Sequence, residues 1–162
     1  MELSTVRPIT LLIAAMGGEG GGVLTSWIVN AARSCGLPVQ ATSIPGVAQR
    51  TGATTYYIEI WPEVLSVGAT KPVLALAPAI GEIDILAATE YVETGRMIEA
   101  GYVTPDRTTL IASNHRVFTT HEKLAMGDGR ADVAPIKKAI KERAKRAVVV
   151  DMREASSKSG AV

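Results

Sequence analysis

The amino-acid sequence predicts an α/β fold, a three-layer α/β/α domain built around a mostly parallel sheet. An apolar run near the N-terminus, followed by glycines, is typical of a parallel strand that helices cover on both faces. Strand-like and helix-like segments then alternate along the chain, which is the pattern of such a sheet. The length of 162 residues, 47% of them hydrophobic, suits one core. We therefore expect a single domain over residues 1–162.

The composition excludes several classes of function. Seventeen basic and 16 acidic residues leave a net charge of +1, which provides no global field for binding nucleic acid or an anionic membrane. One cysteine, Cys35, and two histidines, His115 and His121, are too few ligands for an iron–sulfur cluster or a zinc site. The apolar run Ile9–Met16 is too short to cross a bilayer and precedes glycines instead of a cleavage site. We expect a cytoplasmic protein without a metal site.

The first structural unit is predicted to be a strand, a glycine loop and a helix. Ile9–Met16 is the strand, and Gly17–Gly22 is predicted to be a loop because glycine loses much backbone entropy in regular structure. Gly36 is placed to end the helix in the left-handed conformation. From residue 23 the apolar residues follow the spacing of a buried helical stripe: Val23, Leu24, Trp27, Ile28, Ala31, Ala32 and Cys35.

The alternation continues to the C-terminus. A helix is predicted over Glu90–Ala100, and a second begins at Pro135, which suits a first turn. We expect Asn114–Asp132 to be irregular and the tail Ser156–Val162 to end without a closing helix. The later strands are predicted from β-branched, aliphatic and aromatic residues: Val39–Ile44, Ala53–Trp61, Val73–Ala77, Ile83–Ala88, Thr108–Ser113 and Ala147–Met152. The stripe of the last helix is expected to contain Ile136, Ala139, Ile140, Arg143 and Ala144.

The glycine loop lies where an α/β domain presents backbone N–H groups and the positive end of a helix dipole to an anion. The arrangement is Rossmann-like, but the dinucleotide fingerprint is absent, because Val23 stands where the third glycine or alanine is needed. No Gly-Lys-Ser or Gly-Lys-Thr follows, which excludes a P-loop. Glu19 can itself satisfy some of the donors, which favours a polar partner surface over a tightly held diphosphate. The same glycines equally suit a tight crossover with close packing of helix on sheet.

A second unusual loop, Gly46–Gly52, follows the second predicted strand. If the first two strands run parallel, both loops face one crevice at the same edge of the sheet. Arg50 is the best candidate in the chain for a bidentate contact with a carboxylate or phosphate, and Gln49 can donate and accept beside it. An isolated arginine in a loop is also commonly a solvated surface charge.

Together the two loops resemble those of the gamma-type domain of 2-oxoacid:ferredoxin oxidoreductases, and within that family the indolepyruvate oxidoreductase beta subunit. The family pattern is G-x-G-G-x-G-G followed by G-x-[SA]-Q-R-G-G, and the chain departs from it only at Ala15 and Thr51. Thr51 puts a β-branched side chain where a positive φ is wanted, so the conformation of the second loop is the weaker part of the transfer from the family. The resemblance covers residues 9–155. Family members continue with another apolar helix, which leaves open a truncation at the C-terminus.

The resemblance implies a subunit that binds no cofactor, is inactive alone and packs on a catalytic subunit with thiamine diphosphate and iron–sulfur clusters. The assembly would decarboxylate indolepyruvate or a related aryl 2-oxoacid, pass electrons to ferredoxin or another acceptor, and transfer the acyl group to coenzyme A. We expect no catalytic residue here, because both histidines are interpreted as surface or loop-anchoring residues. Carried over by motif, the residues that would line the coenzyme A or partner crevice are Gly17, Gly18, Glu19, Gly20 and Gly21. Those that would face substrate or coenzyme A are Gln49, Arg50 and Gly52.

Two other functions fit the same residues. One is a stand-alone module that binds phosphate or a nucleotide at the glycine loop, and the other is a structural subunit whose two loops only dock a partner. A basic face is interpreted as solvated, with docking of a partner or an acyl carrier as the alternative. It consists of Lys137, Lys138, Lys141, Lys145 and Arg146.

Overall fold

A computed structural model describes residues 6–45, 53–118 and 132–160. The strands are β1 (Ile9–Met16), β2 (Val39–Pro45), β3 (Ala53–Ile60), β4 (Ile85–Ala88), β5 (Thr109–Ser113) and β6 (Arg146–Val150). The helices are α1 (Gly21–Ser34), α2 (Tyr91–Glu99), α3 (Ala134–Arg143) and α4 (Met152–Lys158).

The six strands form one sheet in the order β2-β3-β1-β4-β5-β6. β1, β4, β5 and β6 run parallel to one another, whereas β3 is antiparallel to both of its neighbours, β1 and β2. β2 and β1 therefore point in the same direction although they are not adjacent. The predicted α/β fold with a mostly parallel sheet is confirmed.

Helices cover both faces of the sheet. α1 packs on one face, where Val29 meets Ile13 in a buried cluster. α2 and α3 lie on the opposite face, above a larger core that contains Leu12, Met97 and Ile140. Neighbouring residues of one strand, such as Leu12 and Ile13, therefore serve different faces, which explains the continuous apolar run of β1.

The start of α1 differs from the prediction. The helix begins at Gly21, so the predicted loop Gly17–Gly22 is too long by two residues. A Cβ atom built on Gly21 would lie 2.6 Å from the Cβ of Ala15 and 2.8 Å from the ring of Tyr56. The glycine therefore allows the first turn to lie against the sheet, a tertiary effect that outweighs its low helix propensity.

The predicted buried stripe of α1 is also wrong. The residues that the helix buries are Gly21, Thr25, Val29 and Ala32. Of the predicted stripe only Ala32 is buried and Ile28 half-buried, while Val23, Leu24 and Trp27 are exposed. Because the start of the helix lies so close to the sheet, small side chains fit between them and the large apolar side chains are turned outward.

Residues Val73–Ala77 form no strand, contrary to the prediction. Side chains hold this segment on the sheet instead: Gln40 and Thr42 donate to its backbone carbonyls at 2.8 to 3.3 Å. The N–H of Ala75 donates to the buried carboxylate of Glu59 at 2.7 Å. The segment lies against β2 and β3 through these side-chain hydrogen bonds, and its backbone is not paired with a strand of the sheet.

The C-terminal part differs from the prediction in three places. Arg143 is exposed instead of buried, and Ile140 is the buried residue of α3, because a charged guanidinium is costly to desolvate. The last strand ends at Val150 instead of Met152, and the tail does form a helix. Asp151 caps that helix, since its carboxylate accepts the N–H of Glu154 at 2.9 Å, a helix start signal that the analysis of the tail overlooked.

The predicted irregular segment is described only in part. Residues 114–118 have no regular structure, as expected, and residues 119–131, with His121, lie outside the described residues. None of the helices in the described ranges is long and apolar enough to cross a membrane.

Candidate functional site

A crevice of about 660 Å³ opens at the carboxyl ends of the parallel strands. From β1 the chain passes to β2 on one side of the sheet, and after β3 it continues to β4, β5 and β6 on the other side. The gap between β1 and β4 is therefore the topological switch point, where ligands bind in open α/β sheets. The crevice lies at this point, because Gly18, Glu19 and Gly20 after β1 and Thr89 after β4 contribute to its wall.

The glycine loop forms one wall of the crevice. Gly18 and Gly20 have φ angles of 85° and 75°, in the left-handed region that residues with a Cβ adopt only at a cost. Among the described residues no side chain caps α1, whose N-cap is Gly20. The first N–H groups of α1 are thus not held by a capping side chain, and a helix start of this kind favours negative charge.

Glu19 ties the glycine loop to the end of β4. Its carboxylate accepts hydrogen bonds from the hydroxyl of Thr89 and from the N–H of Met16, the latter at 3.3 Å. The N–H of Thr89 donates to the carbonyl of Ala14 at 3.0 Å. Glu19 therefore satisfies donors at the sheet edge and does not cap α1.

Replacing Thr89 by valine is expected to lower the free energy of unfolding by about 1–2 kcal/mol, because the part-buried carboxylate of Glu19 loses a donor. Thr89→Ser keeps the hydroxyl and is the matched control. Urea unfolding of the two variants measures the difference, and equal stability would contradict a structural role for this hydrogen bond.

The opposite wall comes from β5 and α4. The hydroxyl of the buried Ser113 accepts the N–H of His115 at 3.3 Å, and the carbonyl of His115 accepts the N–H of Tyr91 at 3.1 Å. His115 thus anchors the loop after β5, in line with the expectation from sequence, and it also lines the crevice. α4 contributes an exposed guanidinium, that of Arg153. The crevice is lined by hydroxyls, an imidazole, a guanidinium, the carboxylate of Glu19 and an uncapped helix start, so it can bind polar groups, and anionic groups are favoured near Arg153 and the helix start.

The structure brings together part of the site that the sequence predicts. Gly18, Glu19 and Gly20 line the crevice, whereas Gly17 and Gly21 do not; Gly21 instead packs α1 on the sheet. Gln49, Arg50 and Gly52 lie outside the described residues, so their part in the site stays a prediction.

The structure describes β2 and β3, the strands before and after residues 46–52. The register pairs Met16 with Ala53 and Pro45 with Thr54. β2 therefore ends, and β3 begins, at the edge of the sheet where β1 ends. The glycine loop follows β1 at this same edge, and the meeting of the two loops in one crevice stays a prediction.

The residues of the crevice that sequence reasoning missed include Thr89, Ser113 and Arg153. The first two stand at the carboxyl ends of parallel strands, and that position alone could have identified them. Arg153 could not be found in this way, because its place depends on a helix that the sequence analysis did not predict.

Within residues 6–45, 53–118 and 132–160, no group of three or more His, Cys, Asp or Glu side chains is arranged to hold a metal ion.

Comparison with known families identifies the chain. Residues 10–162 match the sequence profile of the pyruvate ferredoxin/flavodoxin oxidoreductase family. The chain belongs to this family. The match includes the glycine loop, every strand from β2 to β6 and the residues that line the crevice. No protein of curated function matches the chain significantly.

Solved structures of this oxidoreductase family share the fold. The pyruvate oxidoreductase subunit PORC of Thermotoga maritima superimposes with a TM-score of 0.58 at 15% identity, over 94% of this chain and 66% of that chain. The gamma subunit of a keto/oxoacid ferredoxin oxidoreductase from Geobacter sulfurreducens gives a TM-score of 0.53 at 14% identity, over 94% of this chain and 67% of that chain.

A third similar structure is the 2-oxoglutarate:ferredoxin oxidoreductase of Magnetococcus marinus with 2-oxoglutarate, coenzyme A and succinyl-CoA bound. Its TM-score is 0.57 at 13% identity, over 95% of this chain but 22% of that chain. The chain thus spans about two thirds of the length of the Thermotoga and Geobacter subunits and about a fifth of the Magnetococcus chain.

Proposed function

We propose that the chain is the cofactor-free subunit or domain of a thiamine-diphosphate-dependent 2-oxoacid:ferredoxin oxidoreductase of the indolepyruvate type. One observation carries this proposal: this chain belongs to the oxidoreductase family, and its glycine loop forms one wall of the crevice at the topological switch point. In the assembly this crevice helps to enclose coenzyme A and substrate, and the chain contacts the catalytic subunit at the same edge.

The Magnetococcus enzyme supports an assembly of this kind. There the matched region is 22% of a longer chain, so the shared fold is one part of a larger polypeptide. We propose that the present chain reaches an equivalent arrangement by associating with a separate catalytic subunit, which holds thiamine diphosphate and iron–sulfur clusters. Thiamine diphosphate supplies the chemistry of decarboxylation when it is bound in that subunit.

The residues of this chain contribute positioning and electrostatics. The start of α1 and the guanidinium of Arg153 favour the negative charges of phosphate or carboxylate groups in the crevice. The proposed role of Arg50 is the same, a bidentate contact from the loop that begins at this edge. Such contacts hold a reactant in orientation and replace water around it.

Arg50→Ala is expected to raise the KM for coenzyme A or for the 2-oxoacid by about 10- to 100-fold in the reconstituted complex, the effect of losing one charge-assisted hydrogen-bonding group. The free energy of unfolding should change by less than about 0.5 kcal/mol. Arg33→Ala is the control, because Arg33 lies in the last turn of α1, away from the crevice. Unchanged kinetics of Arg50→Ala would remove this residue from the site.

The chain alone should be inactive, and activity should appear when the thiamine- and cluster-bearing subunit is added. Calorimetric titration of the isolated chain with coenzyme A and with ATP tests the stand-alone binding module. Tight binding by the isolated chain that Gly20→Val abolishes would favour that alternative over the oxidoreductase subunit.

A further inference from the structure

The outward side of α1 is apolar and uncovered. Trp27 is 67% exposed, Val23 53% and Leu24 38%. Their spacing places the three side chains on one side of the helix, and we call them the α1 outer face. Arg33 is the one charged residue of Gly21–Ser34, so the helix has hardly any of the charged face that a surface helix usually presents to water.

α1 has apolar side chains on two sides and exposes the polar residues Ser26, Asn30, Arg33 and Ser34. The sheet covers only the side that carries Val29 and Ala32, and apolar side chains on a second side of a helix are normally covered as well. The larger apolar side chains are left in water, where covering them is favourable. Contiguous exposed apolar side chains often mark interaction sites, and tryptophan is enriched among the residues that dominate binding energy.

The α1 outer face lies beside the crevice. Val23 follows Gly20, a residue of the crevice wall, by three positions in the first turns of the same helix. A chain that covers Val23 and Trp27 would therefore also border the opening of the crevice.

We infer that the α1 outer face docks an apolar surface of a second, non-identical chain, the catalytic subunit. This inference rests on the proposed function. The face carries no charge, so the complementary surface is apolar. The α1 outer face alone is too small for a stable interface, because one aromatic side chain buries at most about 250 Å² and a stable interface needs about 800 Å² from each partner, so the partner must also contact the neighbouring surface. A larger subunit can extend the contact from α1 to the edge of the crevice.

Fluorescence of a single tryptophan tests the inference directly. The chain has two tryptophans, and Trp61→Phe leaves Trp27 as the sole reporter. Acrylamide should quench Trp27 strongly in the free chain. On addition of the thiamine-diphosphate- and cluster-bearing subunit from the same genome, the quenching constant should fall by about fivefold or more, because the indole loses contact with solvent.

A pair of substitutions measures the energetic role of the face. Trp27→Ala should weaken association with the catalytic subunit by about 30-fold or more, the effect of a central interface residue. Val67→Ala is the matched control, since Val67 is an exposed apolar residue outside α1, and its affinity should stay within about twofold of the parent. Circular dichroism of both variants is the control for correct folding.

The outcomes separate the inference from the proposed function. If the complex forms while Trp27 stays open to quencher and Trp27→Ala binds normally, the docking face is overturned and the proposed function stands. If no complex forms with the catalytic subunit, the proposed function fails and the inference falls with it. If sedimentation shows a dimer of the chain alone with Trp27 protected, the face serves self-association and the inference is overturned.

Discussion

Asp84→Ala is expected to lower the free energy of unfolding by about 3 kcal/mol, the cost of leaving several partly buried donors without their acceptor. The Asp84 side chain, 17% exposed, joins the starts of β1 and β4. It accepts two hydrogen bonds from Arg7 at 2.8 Å, two from Thr10 at 3.0 Å and one from Arg107 at 3.0 Å. Urea denaturation measures the loss.

Arg7→Ala is the control for this prediction. The side chain of Arg7 is 56% exposed, so solvent screens its ion pair with Asp84 and the expected loss is at most about 1 kcal/mol. An equal loss in the two variants would show that the buried contacts with Thr10 and Arg107 contribute little. Both substitutions lie at the amino edge of the sheet, away from the crevice, so neither should change binding there.

The same carboxylate makes stability depend on pH. Burial by itself raises the pKa of Asp84, but hydrogen bonds from Arg7 and Thr10 outweigh burial and the pKa lies below its ordinary value. A carboxyl group whose pKa is lowered by folding stabilises the protein above its unfolded pKa, about 3.9, and the contribution is lost as the pH falls through the lowered folded value. The free energy of unfolding should therefore fall more steeply in this acidic range for the parent than for Asp84→Asn, and equal slopes would contradict the prediction.

Gly21→Ala is expected to lower the free energy of unfolding by about 1–3 kcal/mol, the usual cost of overpacking a close contact. The new Cβ would meet the Cβ of Ala15 at 2.6 Å and the ring of Tyr56 at 2.8 Å. The Cβ of Ala15 cannot move aside by rotation, because it is attached directly to the backbone of β1. The first turn of α1 would have to shift away from the sheet, and the wall of the crevice would shift with it.

Gly22→Ala provides the comparison one residue along. Its Cβ would lie 3.4 to 3.7 Å from the Tyr56 side chain, which is ordinary contact for most of the ring. Its stability should remain within about 0.5 kcal/mol of the parent. Thermal or urea unfolding of the two variants separates the steric effect from the change in backbone freedom. Both variants replace glycine by alanine in the same helical turn, but only Gly21→Ala creates a very close contact. Similar stabilities would show that α1 can move from the sheet at no cost.

The local pattern of the sequence was sufficient for the fold class and for one wall of the site. The apolar run of β1, the glycines after it and Gly36 at the end of α1 are local signals, because each depends on the conformation or burial of a few consecutive residues. These local signals alone place Gly18, Glu19 and Gly20 at the carboxyl end of the first strand. The resemblance in the two loop motifs led to the family that residues 10–162 match.

Only the tertiary structure decided which residues meet. The direction of β3, the side of α1 that is buried, and the meeting of Thr89, Ser113 and Arg153 at one crevice depend on contacts between segments far apart in sequence. Periodicity shows that a helix has an apolar side, but α1 has two, and the close approach of Gly21 to Ala15 selected the side with small residues. The pattern of residues along the chain cannot contain that choice, because it is made by the shape of the surface against which the helix packs.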